Sequence, residues 1–465
     1  MSQSTTTTIS MNGNSTGYGA SSGNELFNLA GYGNNVLLGG ANDTINVLSG
    51  LFDTIDLNST GFTGAVTDSI NLGASSFGHV TTSHALNNAT VTVTAAGGPN
   101  TISLINHGGS TAISLGYVGD PALQGPALAN LVTLNGDATN IVTLSAGDAA
   151  VNIGANADGA TNYASSVVFT GVANTLNGGD EAFTVSNATA TRNTITLGNG
   201  NDHVALSGSG NTITLGNGND SLALSGSQNT ATLGSGTDNV TLTGAVAKLT
   251  FATGNAGVQD SVTLAGGAAT IHGGDENFAI TSTQRASFLS ATLGNGNNTI
   301  AMAFGGAHLV IGDSLANTAK NTVTLAHGGA NATFNGGVDS ITLAGSKAVG
   351  ADKVTLNATM LGTQLTTSGV FDSVTLTHDA NATINDTGLN AGLSLTLVAD
   401  AQGGFGAIAI TGLANDDLAQ IHLAGASPYT ITTDATTVGG ITLHFAHGSI
   451  DLVGLQAVPN HLFGG

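Results

Sequence analysis

Three aspartates, Asp202, Asp220 and Asp238, recur at 18-residue intervals, and each closes a turn built from Gly and small polar residues: LGNGND, LGNGND and LGSGTD. A carboxylate beside the carbonyls of a Gly-rich turn is a set of hard oxygens, the donor type that suits Ca²⁺. If the turns stack, Asp202 faces Asp220 and Asp220 faces Asp238. Like charges about 5 Å apart repel, and a cation between them converts that penalty into a link. A half-period of nine places Asn211 and Asn229 at the equivalent turn on the opposite edge. Amides there can pair along the stack without an ion. The competing reading is that Asp and Asn both serve as turn caps.

The elements that must position these residues are short strands. In TITL, Ile195 and Leu197 alternate with Thr194 and Thr196, and in HVAL, Val204 and Leu206 alternate with His203 and Ala205. Period-two alternation bounded by Gly and Asn predicts strands between tight turns. Two strands and two turns per unit make one flattened coil, and a fixed short period is the mark of a solenoid. The expected fold is therefore all-β, a β-solenoid of the β-roll or parallel β-helix kind. Coils of 18 residues are expected in the clearest repeats and looped, irregular coils elsewhere. Ile213, Leu215, Leu222, Leu224, Val240 and Leu242 are expected inside, and the turn glycines are expected to supply positive φ.

Degenerate copies of Asp-x-apolar-x-apolar occur at Asp43, Asp53, Asp68, Asp260, Asp339, Asp352 and Asp372, with Asn in the first place at Asn100, Asn193, Asn298 and Asn321. Asp43 and Asp260 are the weaker ion-ligand candidates of this kind. GGDEAF (178–183) and GGDENF (273–278) each precede a TLGNGN copy, which suggests duplication of a block of about 95 residues. The Pro-containing stretch GYVGDPALQGPALAN (116–130) interrupts the pattern, and the pattern fades from about 385. The organisation read from this is a Thr/Gly/Asn-rich β region over 1–125, a central solenoid over 126–384 and a C-terminal β segment over 385–465.

Composition narrows the function. The 465 residues include 69 Gly, no Cys and no Trp, and 28 acids against six bases give a formal net charge of −22. That balance speaks against nucleic acid and anionic membranes, which call for clustered Lys or Arg. No apolar run reaches the 18–20 residues or so that span a bilayer, so membrane insertion is not expected. The N-terminal stretch has neither a basic nor an apolar segment of the secretory type.

LGNGNDHVA, LGNGNDSLA and LGSGTDNVT are similar to the nonapeptide G-G-x-G-x-D-x-U-x of repeats-in-toxin (RTX) β-roll proteins. The resemblance implies Ca²⁺ bound by Asp202, Asp220 and Asp238, with Gly198, Gly200, Gly216, Gly218, Gly234 and Gly236 shaping the loops. This sequence departs from the family in having Leu197, Leu215 and Leu233 at the first Gly position, and Asn in place of Asp in alternate turns. The clean run covers about 50 residues. The tail GGITLHFAHGSIDLVGLQAVPNHLFGG (439–465) looks like the uncleaved C-terminal signal of type I secreted proteins of that class, which implies an extracellular or cell-surface location.

No catalytic constellation stands out. Glu occurs only at Glu25, Glu181 and Glu276, and there is no H-E-x-x-H zinc motif. GNSTG (13–17) lacks the context of a nucleophile elbow. The paired acids of GGDEAF and GGDENF fit a recurring turn better than glycoside hydrolysis, and HFAH (His444, His447) fits a strand surface. The expectation is a non-enzymatic extracellular structural protein that self-assembles into a layer, filament or matrix. Its partners would be further copies and extracellular or cell-surface polysaccharide, and TTTTIS (5–10) could be a donated strand. The alternative is a secreted carbohydrate-binding, carbohydrate-active or adhesive protein. A minor alternative is an ice-binding solenoid, because Thr194-x-Thr196, Thr212-x-Thr214 and Thr230-x-Thr232 would align as a flat array.

Overall fold

In a computed structural model of the chain, TITL gives the strand Thr194–Thr196 and HVAL the strand His203–Leu206. Ile195, Leu197, Val204 and Leu206 are buried. The intervening residues of TITL and HVAL face outward or stand half-exposed, as side-chain alternation in a pleated strand requires. The structure describes residues 7–463 apart from 12–16, 21–24, 31–33, 39–42, 58–66, 73–76, 83–85, 96–99, 117–129, 155–163, 313–317, 345–349, 358–360, 378–380, 389–391, 427–429, 435–439 and scattered single or paired positions. The expected boundary at 125/126 and most of GNSTG lie outside the described residues.

Consecutive strands alternate between two sheets, and each pairs in parallel with its equivalent one coil away. Thr194, Ile195 and Thr196 sit opposite Thr212, Ile213 and Thr214. His203, Val204, Ala205 and Leu206 sit opposite Ser221, Leu222, Ala223 and Leu224. Identical residue types thus stack on one another: Ile on Ile, Leu on Leu. Each buried Val, Leu or Ile contributes roughly 1.5–3 kcal/mol of apolar transfer, repeated coil after coil. This is a β-solenoid, and among the described residues its only helical element is the 3₁₀ turn Leu413–Asn415.

Coil length varies, and the register is kept through most of the described pairings, with shifts at Leu29/Ala30, Leu51/Asp53 and Leu361/Thr363. Bonds between equivalent residues span 18 positions at Asp202 and Asp220, 25 at Asp43 and Asp68, and 30 at Asn100 and Asn130. Extra residues leave through loops, and the strands resume in step.

The chain divides into two units, Met1–Ala231 and Thr232–Gly465. In the first, one sheet runs from Thr7–Met11 to Ser221–Leu224 and the other from Gly17–Ala20 to Thr212–Thr214. In the second, one sheet starts at Asn239–Leu242 and the other runs from Ala247–Phe251 to Gln420–Ala424. The strand Thr7–Met11, which holds part of TTTTIS, pairs with Glu25–Ala30 of the same chain.

The parallel ladder continues past 385 through Ser394–Val398, Ala407–Thr411 and Gln420–Ala424. Only then does the pairing reverse. Ser449–Val453 lies parallel to Ala407–Thr411 on one side and antiparallel to Gly440–His444 on the other, and Gly440–His444 pairs antiparallel with Thr430–Asp434. The tail returns to the second sheet, where the Ile421 N–H donates to the Leu462 carbonyl at 2.6 Å.

One expectation is corrected here. The glycines of the GNGN turns do not supply positive φ; Gly198, Gly200, Gly216 and Gly218 have none. A Cβ at Gly216 would collide with the Gly198 carbonyl, and one at Gly218 with the Gly200 carbonyl. Glycine is there because successive turns stack backbone on backbone.

Candidate functional site

Two ladders of polar side chains run inside the first unit, one at the entry of each sheet. On one side, the Asn193 N–H and Nδ2 both donate to Asn211 Oδ1, at 2.9 and 3.1 Å. The Asn211 N–H and Nδ2 repeat this to Asn229 Oδ1, at 2.9 and 3.1 Å. Asn174 does the same to Asn193 at 2.9 and 3.3 Å. These asparagines are buried, and the amide-to-amide stacking expected of them is present.

On the other side stand the aspartates. Asp202 Oδ1 accepts the Phe183 N–H at 2.9 Å, and the Asp202 N–H donates to Asp220 Oδ1 at 2.9 Å. Asp43 Oδ1 accepts the Glu25 N–H at 3.0 Å, and the Asp43 N–H donates to Asp68 Oδ1 at 3.1 Å. In the second unit the Asp238 N–H donates to Asp260 Oδ1 at 2.9 Å. All six are buried. Asp202, Asp220, Asp43, Asp68 and Asp260 each use Oδ1 as asparagine does, to accept a backbone N–H, and carry a second oxygen in place of the amide donor. At Asp43 and Asp202 that second oxygen is buried with no hydrogen-bond partner among the described residues.

The electrostatic consequence follows from desolvation. Burial pushes Asp68 and Asp202 up to about 7; the carboxylate of Asp43 adds to this at Asp68, those of Asp220 and Glu181 at Asp202, and the backbone N–H bonds oppose it. Burial likewise lifts Asp260, Asp339 and Asp352 to about 6.

These surroundings do not fit the Ca²⁺ site that the RTX resemblance implies. That ion takes six to eight oxygens, whereas Asp202, Asp220, Asp43, Asp68 and Asp260 each spend one oxygen on a backbone N–H of the preceding coil and are buried. The turn carbonyls are engaged as well: the Gly198 carbonyl accepts the Gly216 N–H at 2.9 Å and the Gly179 carbonyl accepts the Gly198 N–H at 2.9 Å. Gly200 and Gly218 stack on the coil before them, and Gly234 and Gly236 form the turn between Asn229–Leu233 and Asn239–Leu242. No group of three or more His, Asp or Glu side chains suited to a metal occurs among the described residues.

The duplicated GGDE turns are also accounted for. Asp180 Oδ1 accepts the Asn199 N–H at 2.8 Å, and Asp275 Oδ1 accepts the Asn295 N–H at 2.7 Å, each capping the turn of the next coil. Glu181 Oε1 accepts from the Ser165 hydroxyl at 3.1 Å. Glu276 accepts the Gly254 and Gly274 N–H groups at 3.1 and 3.0 Å. Gly178 and Gly273 leave room for the rings of Phe183 and Phe278. His444 pairs with the Thr432 hydroxyl at 2.8 Å across the terminal hairpin. No catalytic constellation emerges among the described residues.

Fourteen of the described acidic side chains are buried, all three Glu among them, which is half of the 28 in the chain. The outer surface is accordingly far less charged than the composition suggests. In the second unit, the outward positions of the sheet beginning at Asn239–Leu242 form two registered columns. One holds Thr241, Thr263, Thr281, Ala301, Thr324, Thr342 and Thr366. The other holds Asn239, Ser261, Ala279, Thr299, Thr322, Ser340 and Gln364. None is charged. The shorter array expected at Thr194, Thr196, Thr212 and Thr214 is present and exposed. The longer one escaped sequence reasoning because coil lengths there are irregular. Its signal was the Thr between two apolar residues in DNVTL, DSVTL, NTVTL and DSITL.

A family profile described as "protein of unknown function (DUF3060)" matches residues 188–246, the region of the cleanest repeats. No curated protein and no solved structure matches the chain.

Proposed function

We propose that this protein is an extracellular structural solenoid whose copies assemble side by side through flat, hydroxyl-bearing sheet faces. The observation that carries this reading is the pair of uncharged columns from Thr241 to Thr366 and from Asn239 to Gln364. Rows recur about every 4.8 Å along the stack, so two such faces meet in register when related by a two-fold axis. Hydroxyls and methyls on the face supply hydrogen bonds and apolar contact without charge repulsion. A chain with a formal charge of −22 would ordinarily repel its own copies, and the inward placement of its aspartates removes much of that barrier. The extracellular location rests on the resemblance of residues 439–465 to type I secretion tails.

The test uses the full chain carrying Thr324→Lys and Thr342→Lys, adjacent rows of one column. Electron microscopy and sedimentation of wild type should show ordered assemblies, and the variant should remain monomeric with unchanged circular dichroism. Monomeric wild type that binds crystalline polysaccharide, or that produces thermal hysteresis, would overturn self-assembly in favour of a carbohydrate- or ice-directed face.

A further inference from the structure

The second unit holds the two kinds of rung needed for a direct comparison. In the mixed rung, Asn321 donates to Asp339 Oδ1 twice, from its N–H at 3.3 Å and from Nδ2 at 2.7 Å. In the all-carboxyl rung, the Asp352 N–H donates to Asp372 Oδ1 at 3.2 Å. Asp352 Oδ1 in turn accepts the Ala330 N–H at 2.8 Å from the coil before it. The backbone frame is the same. What differs is the atom in the second position: Nδ2 with its hydrogens in Asn321, Oδ2 in Asp352. Both Asp352 and Asp372 are buried, and the Oδ2 of each has no hydrogen-bond partner among the described residues.

An ionised Asp352 would bury an Oδ2 that no donor of the described residues meets, beside the Asp372 carboxylate one coil away. Such a buried, unsatisfied contact is costly. A proton on Asp352 Oδ2 makes the carboxyl an isostere of the asparagine amide and completes the rung. We infer that Asp352 and Asp372 share one proton, carried on Asp352 Oδ2 and donated to Asp372 Oδ1, so that this rung of the coil stack closes in acid and opens as the medium becomes alkaline.

The surroundings assign the proton to Asp352. Asp372 also accepts a backbone N–H from Gly369, which favours its ionised form. The charged group facing Asp352 from the following coil is Asp372; the preceding coil presents Ala330, and Lys353, next in the chain, lies on the exposed side of its strand. Beyond Asp372 the next coil presents Leu393, whose N–H, with that of Gly392, is held by Asp416 at 2.8–3.0 Å. Burial and the Asp372 carboxylate act in the same direction, raising Asp352 to about 6. The link is thus closed in acid and opens as pH rises through about 6.

The experiment compares thermal melting of full-length wild type, Asp352→Asn and Asp352→Ala between pH 5 and pH 8, without added metal. Asp352→Asn carries the donor permanently, as Asn321 does. It should match wild type at pH 5 and melt several degrees higher at pH 8. Asp352→Ala loses the cap on Ala330 and should melt lower at both pH values, which distinguishes a pH-sensitive link from a merely structural side chain. Infrared spectra of wild type at pH 5 should show a protonated carboxyl band that is reduced in Asp352→Asn. A constant difference between Asp352→Asn and wild type across the range, or a lower melting point for Asp352→Asn at pH 8, overturns the shared proton. So does a gain on adding CaCl₂ at pH 8 that equals the gain in acid and vanishes in Asp352→Asn, since a cation would then hold the rung.

Discussion

Asn193 and Asn211, one coil apart, are joined twice through a single oxygen: the Asn193 backbone N–H and its Nδ2 both end on Asn211 Oδ1, at 2.9 and 3.1 Å. Both side chains are buried. The rung therefore satisfies two donors that no water can reach, and it locks the entry of one strand to the entry of the next.

Asn211→Ala should cost about 1–3 kcal/mol, because it strands the Asn193 N–H and Nδ2 and removes the bonds that Asn211 itself makes to Asn229. Chemical denaturation at neutral pH measures it. Asn211→Asp keeps the acceptor and loses the donor, so its cost should be larger at pH 8 than at pH 5.

Stability should fall as pH rises from about 4 to about 7. The folded-state values of Asp68 and Asp202, about 7, and of Asp260, Asp339 and Asp352, about 6, all lie above the ordinary value of 3.8. Between those limits the folded chain holds more protons than the unfolded one. The stabilisation is then complete below about 4 and is lost as pH passes through 6 to 7. The contribution is on the order of 1–3 kcal/mol per carboxyl. A melting profile that peaks at neutral pH would contradict this.

Gly216→Ala should destabilise the first unit by roughly 2 kcal/mol or more. The added methyl meets the Gly198 carbonyl, which is backbone and cannot swing aside. Gly210→Ala fails for a different reason, a φ of 72° in the left-handed region. Mass-resolved hydrogen exchange of Gly216→Ala should show the protection loss centred on residues 196–218.

Chelation should leave the melting temperature unchanged. Asp202 and Asp220 spend an oxygen each on backbone N–H groups of the preceding coil and face inward, so removing Ca²⁺ with EDTA takes nothing from them. A drop in melting temperature in EDTA, reversed by Ca²⁺, would restore the ion-bound reading of the turns.

The residues by themselves determined the coil. Alternation in TITL and HVAL dictates which side chains point in, and the 18-residue repeat dictates that Ile195 meets Ile213 and Val204 meets Leu222. Within the clean repeats it also dictates that Asn193, Asn211 and Asn229 stand at one strand entry and Asp202 and Asp220 at the other. Both are local consequences of pleating and period. What only the tertiary structure decided is the direction of the aspartate carboxylates, the reason for the turn glycines and the extent of the threonine columns. Each depends on what the neighbouring coil presents: a free N–H for Asp202 at Phe183, a carbonyl under Gly216, Thr366 beside Thr342 after a longer coil. Those partners lie a whole coil away along the chain, 19 residues in the case of Phe183 and Asp202, and closing the coil is what brings them together.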